Sequence, residues 1–216
     1  MDLDIPVRPA RISREQAREQ KARSALFAQQ LKFQAKGSGW KLAYGSLFRA
    51  EKDWFVDVLP WLLWQRGVRL MLHIKPMAID PIFWRIVGMQ ENERLPLSFR
   101  ASGAWVLRPP YREASIALDQ TDPGALAAAA IAWATDQLAS AKAASLTALL
   151  TEIEALGDRR KFFVAFEICL RLLMDDWDGA FALCRNRGPL EDGGFWSDAG
   201  TFLDQARNWI AARRPS

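Results

Sequence analysis

The chain has 216 residues, half of them apolar and a quarter charged, the balance of a globular protein able to bury a core without disulfides or metals. Its net charge of +4 sits wholly in residues 1–36, which hold eight Lys or Arg against four Asp or Glu; residues 37–216 hold twenty-one of each. The body is thus neutral, which argues against the basic face a nucleic-acid binder carries on its folded part.

The N-terminus, MDLDIPVRPARISREQ, lacks the apolar stretch of a secretory signal. The aromatic segment WFVDVLPWLLWQRGVRLMLHIKPM, residues 54–77, has VLPWLLWQ as its longest uncharged run, short of the about 20 residues a spanning helix needs. A cytoplasmic location without membrane association is the resulting expectation. Cys169 and Cys184 form no disulfide framework and no cysteine zinc site.

Residues 1–12 read as a loose arm, with Pro6 and Pro9 opposing helix. Ser13 with Gln16 is a capping-box pattern and opens a helix that runs to about Lys36 and stops at Gly37. Its expected apolar stripe is Ala22, Leu26 and Phe33 with Phe27 and Leu31. GWKLAYGSLFR, residues 39–49, reads as one strand; AEKD leads into WFVDVLPWLLW, and QRG into the alternating VRLMLHIKPM. Short loops between such runs predict an antiparallel meander. Pro60 removes a ladder donor and is expected at a bulge or on an unpaired flank. Asp80 is predicted to cap a short helix, PIFWRIV, with Gly88 as its stop. LSFRA, AWVL and REASIAL read as one or two further strands.

From Asp122 onward the chain turns helical. DPGALAAAAIAWATDQLASAKAA, SLTALLTEIEALG, residues 159–174, GAFALCRNRG and residues 197–213 give about five helices. Strands followed by helices predict an α+β fold. It has a sheet of four to five antiparallel strands, the N-terminal helix on one face and a C-terminal helical layer. The organisation expected is an arm over 1–12, a helix plus sheet over 13–121 and a helical part over 122–216, packed as one continuous domain.

No phosphate loop, zinc motif or nucleophile elbow occurs, and with one histidine any Ser-His or Cys-His machinery must use His73. No cofactor and no metal site is predicted, and an enzyme is not the favoured reading, although Asp, Glu, Lys and Tyr can all do acid–base work. The candidate binding face follows from strand register. If Gln65-Arg66-Gly67 closes one hairpin and residues 50–53 the other, Asp57 lies opposite Lys75 and Leu59 opposite His73. Ser46 then flanks Asp57, and Tyr44 flanks Leu59. One face would then carry Trp40, Tyr44, Phe48, Phe55 and Trp61 around Ser46, Asp57, His73 and Lys75; the other would be a plain core. Apolar walls around a few convergent polar groups describe a shallow pocket, and equally a half-solvated sheet face with an Asp57–Lys75 ion pair. Tyr44, Asp57, Trp61, His73 and Lys75 are the candidate site residues. Cys169 and Cys184, on either side of DDWD, are expected close together as buried thiols or, alternatively, as a redox pair. Asp175 or Asp176 is expected to cap a helix. EDGGFWSDAG, residues 191–200, reads as a loop.

The order of LKFQAKGSGW, LFRAEKDWFVDVLP, KPMAIDPIFWRIVG and FFVAFEICLRLLMDDWDGAFALC resembles that of the bacterial domain-of-unknown-function family 4304, over roughly residues 13–187. The resemblance implies an α+β fold and no established activity. Three functions remain in view. The first is a non-catalytic interaction module for another protein, the second a binder of a small molecule or peptide at the His73 face. The third, a nucleic-acid binder through the basic N-terminal helix, is disfavoured by the neutral body.

Overall fold

The computed structural model describes residues 13–63, 67–101, 107, 110–116, 122–185 and 195–214. The expected arm over 1–12, the Gln65-Arg66 part of the second hairpin loop, AWV and residues 191–194 lie outside them.

Helix α1, Arg14–Ala35, begins as the sequence dictates. The Ser13 amide donates to Gln16 Oε1 at 2.7 Å and the Gln16 amide to Ser13 Oγ at 3.1 Å, which satisfies two of the amides a helix start leaves unpaired. Gly37, at φ 83°, takes the left-handed turn beyond the helix. The buried stripe is Phe27, Leu31 and Ala35, whereas Leu26 and Phe33 are 51% and 69% exposed. The expected stripe therefore holds only for Phe27 and Leu31. The helix rolls so that the residues spaced 27, 31, 35 meet the sheet.

Five antiparallel strands follow in simple meander order: β1 Lys41–Ala43, β2 Ser46–Glu51, β3 Trp54–Leu63, β4 Gly67–Pro76 and β5 Pro110–Ile116. GWKLAYGSLFR is not one strand. Tyr44 and Gly45, at φ 52° and 78°, form a tight two-residue turn between Ala43 and Ser46. That turn flips the side-chain parity, so Trp40 leaves the face assigned to it and packs with the opposite core. The β2–β3 hairpin closes with a shorter loop than expected, and the β3–β4 loop keeps its expected three residues but starts one residue earlier. Lys52-Asp53 alone joins β2 to β3, which sets Phe48 opposite Asp57. β3 and β4 pair with Leu63 opposite Gly67, so Asp57 faces His73 and Phe55 faces Lys75. Each register is two residues from the predicted one. A shift of two preserves the face of every side chain, where a shift of one would invert it.

The apolar face, with Val56, Val58, Val68, Leu70, Leu72 and Ile74, is fully buried under α1 and α3 (Pro123–Asp136). Each such side chain contributes about 1.5–3 kcal/mol on leaving water. Asp122 caps α3 by accepting from the amides of Gly124 and Ala125, and Pro123 occupies the first turn. The single alanine-rich helix predicted there breaks at Gln137, after which α4 runs Leu138–Lys142.

A second core gathers α2 (Ile79–Ile86), α5 (Leu146–Glu154), α6 (Val164–Leu173), α7 (Trp177–Arg185) and α8 (Phe202–Ala211). Trp54 packs against both cores and joins them. Three local expectations change here. LSFRA is a 3-10 helix, Leu97–Ala101, not a strand. The helix expected from residue 159 starts as 3-10 over Gly157–Phe163 before becoming α6. Trp196–Ser197 (β6) pairs with Gly200–Thr201 (β7) ahead of α8, where loop and helix were expected. Asp176 does cap α7, accepting from the Gly179 amide at 2.9 Å. Among the described residues no helix is long and apolar enough to cross a membrane.

Buried charge in this second core is paired. Glu167 accepts from Arg160 Nε at 2.7 Å and Arg171 Nε at 3.0 Å, and Arg171 also donates to Asp176 and Glu154. Burial alone would raise the Glu167 carboxyl, but the arginine hydrogen bonds outweigh it and hold it below its usual value.

Cys169 and Cys184 lie in the same core as free, buried thiols. Burial, with the Asp80 carboxylate and Cys184 adding to it, pushes the Cys169 thiol well up; burial takes Cys184 to about 12, against the opposing Arg207 charge. Thiolate is the reactive form. At pH 8 a soluble thiol reagent is therefore expected to modify both cysteines at least about a hundredfold more slowly in the native protein than in denaturant. Rapid native modification, or a disulfide forming under mild oxidation, would restore the redox reading.

Candidate functional site

The five candidate residues fall into two groups. Asp57, His73 and Lys75 share one face of the β3–β4 ladder, as the alternation predicted, and all three are closed off from solvent. Tyr44 and Trp61 are 71% and 61% exposed. The face thus changes character along its length. At the end nearest α2 it is sealed; at the other end it opens, with Leu59 and Met71 half-buried and Trp61 and Arg69 exposed.

Strand pairing places Asp57 beside His73, with Oδ2 3.2 Å from Nδ1. Lys75 lies opposite Phe55 in the ladder, not opposite Asp57. Its ammonium donates to Asp80 Oδ1 at 2.7 Å and to the Arg100 carbonyl at 3.0 Å, over the Phe55 ring at 5.3 Å. Arg100 Nη1 donates to the other Asp80 oxygen at 2.8 Å and to the Met77 carbonyl at 2.7 Å. Asp80 is not the helix cap the local pattern suggested. Ala78 holds the N-cap position of α2, and the carboxylate, fully buried in the first turn, is taken by two cations. Burial lowers the Lys75 pKa, with Asp80 opposing the shift. The Leu97–Ala101 turn thereby closes over Phe48 and Phe55, which pack with Ala101. These groups satisfy one another inside the fold, so their geometry is that of a structural ion cluster.

The open end holds a cleft of about 350 Å³. Gln20, Ser24, Phe27, Ala28 and Leu31 of α1 form one wall, Leu42 and Gly45 the floor of the β1–β2 turn, and residues 59–62 of β3 the other wall. Its origin is a mismatch in strand length. β2 pairs with β3 only as far as Leu47 opposite Val58, whereas β3 continues to Leu63 beside β4. Among the described residues no strand covers the β2 side of residues 60–63. Pro60, as expected, lies on this single-neighbour stretch. Leu59 and Trp61 alternate with Pro60 and Leu62 across the two faces, yet all four border the cleft. Successive residues of a strand can do that only where its edge, not a face, meets the space. Trp61 was a predicted site residue and is on the rim; Tyr44 is in the turn beside Gly45. The helix wall of Gln20, Ser24 and Ala28 was missed because only the packing of α1 brings it there.

Among the described residues no group of three or more His, Cys, Asp or Glu is placed to hold a metal ion. No model of a known protein family matches the chain, and searches of curated proteins and of solved structures found no match. The resemblance to family 4304 thus rests on the sequence pattern alone.

Truncating Asp80 would strip the buried Lys75 ammonium of its hydrogen-bonded carboxylate. Asp80→Ala is expected to cost about 3–5 kcal/mol in denaturant unfolding, against less than about 1 kcal/mol for truncating an exposed carboxylate such as Glu19. Equal losses for the two would contradict a buried ion cluster.

Proposed function

We propose that this chain is a non-catalytic protein-interaction module that receives an extended segment of another protein along the free edge of β3, with one apolar side chain of the segment in the adjoining cleft. The observation that supports this reading is the edge-on meeting of cleft and strand at residues 59–62. An added strand finds main-chain donors and acceptors along the edge, and a pocket for alternate side chains beside it. Trp61 offers a large exposed ring of the kind that anchors interfaces.

A small-molecule reading has the cleft's volume on its side, since ligand pockets begin near about 300 Å³. The lining favours the peptide. Its side-chain polar groups are those of Gln20 and Ser24 and the indole N–H of Trp61, with no charged residue to orient a polar metabolite.

The test uses peptides selected from a random library on the intact protein. Ala28 is exposed on the α1 wall, so Ala28→Trp fills the cleft without touching the core. Selected peptides are expected to lose at least about tenfold in affinity on Ala28→Trp and on Trp61→Ala, the loss a modest interface anchor gives. Peptides that bind both variants as well as the original protein would contradict this site.

A further inference from the structure

We infer that the segment received at this cleft is acidic: an apolar anchor flanked by Asp or Glu. This rests on the proposed interaction site and adds the chemistry of its occupant.

The observation is the distribution of charge around α1. At about 100° per residue, the cleft-lining residues Gln20, Ser24, Phe27 and Leu31 make one narrow stripe along the helix. Ala28 also borders the cleft and is exposed, so the cleft opens toward that flank. Arg14, Lys21 and Lys32 are spaced seven and eleven residues apart, which brings them onto a single line on the same flank. All three are exposed, and none has an ion-pair partner among the described residues. The helix's two acids in this part, Glu15 and Glu19, fall on the opposite flank. The cleft-facing strand residues 59–63 and the turn residues Tyr44 and Gly45 carry no charge.

A segment lying along β3 therefore meets an uncharged strand on one side and a row of cations on the other. Carboxylates flanking the anchor would gain from those cations; lysines there would be repelled. Such rim pairs act on specificity and encounter more than on raw affinity. The excess positive charge of the N-terminal segment, unexplained by the neutral body, then has a local purpose.

The test compares three fluorescein-labelled peptides with one apolar core, Leu-Trp-Leu, flanked on both sides by pairs of glutamate, serine or lysine. Binding is read by anisotropy at low salt. The glutamate-flanked peptide is expected to bind about tenfold tighter than the serine one. The preference should shrink as salt rises toward about 0.5 M. In the double variant Lys21→Glu, Lys32→Glu, both exposed positions, the order should reverse in favour of the lysine-flanked peptide. Circular dichroism and melting of that variant should match the original protein. Equal binding of all three peptides, still abolished by Ala28→Trp, would overturn the acidic occupant and leave the interaction site standing. Binding of none would overturn both. Displacement of the glutamate peptide by an oligouridine at lower concentration would assign the basic row to nucleic acid instead and also overturn the inference.

Discussion

The buried group formed by Lys75, Asp80 and Arg100 is the constraint around which the molecule is arranged. One face of the sheet is wholly apolar at its centre and is simply covered by α1 and α3. The other face carries a lysine and an aspartate, Lys75 and Asp57, where a sheet of this size would bury them. A buried ammonium is tolerable only with close, well-aligned partners. Asp80 supplies one from the first turn of α2, and the Arg100 carbonyl supplies another from the Leu97–Ala101 turn. Satisfying one charge thus fixes where α2 leaves the sheet and where the following chain folds back. Since α2 is the first element of the second core, and Trp54 packs on both cores, the seam between sheet and helical part is set there as well. The same arrangement closes one end of the face, while Trp61 at the other end is exposed.

Much of the fold was legible because it obeys local rules. The Ser13–Gln16 capping box, the Asp122 cap and the alternation from Val68 to Ile74 each specify their element without help from distant residues. Elements failed where a distant partner overrode a local preference. Asp80 before Pro81 has the form of a helix cap, but its carboxylate is claimed by Lys75 and Arg100. LSFRA has strand-like composition, yet Arg100 is held by Asp80 and the Met77 carbonyl, which bends the segment into a 3-10 turn. The Tyr44-Gly45 turn was hidden inside an aromatic run that alternates well enough to look continuous.

The candidate site was half legible for a similar reason. Both hairpin registers were wrong by two residues, and because the side-chain period is two, Asp57, His73 and Lys75 still landed on a common face. Their burial depended on what covers that face, which alternation does not encode. The cleft was not legible at all. It exists because β3 outruns β2, and relative strand length follows from where the turns close. Trp61 reads in the sequence as a large ring in a mixed face; in the structure it borders the cleft, on a stretch of β3 that no strand covers on the β2 side among the described residues. The basic α1 segment, legible in the sequence as a possible nucleic-acid element, is one flank of the cleft in the inference drawn above.

Among the described residues no strand covers the β2 side of residues 60–63, and the proposed function requires that another chain complete this backbone edge. Residue-resolved hydrogen exchange across β3, without and with the glutamate-flanked peptide, tests it most directly. Successive amides of a strand point to alternate sides, so at least one amide between Trp61 and Leu63 should exchange quickly in the free protein and slow by about tenfold or more when the peptide is bound, while Val56 and Val58 stay protected throughout. Full protection of all three amides in the free protein, or no change on binding a peptide that demonstrably occupies the cleft, would contradict it.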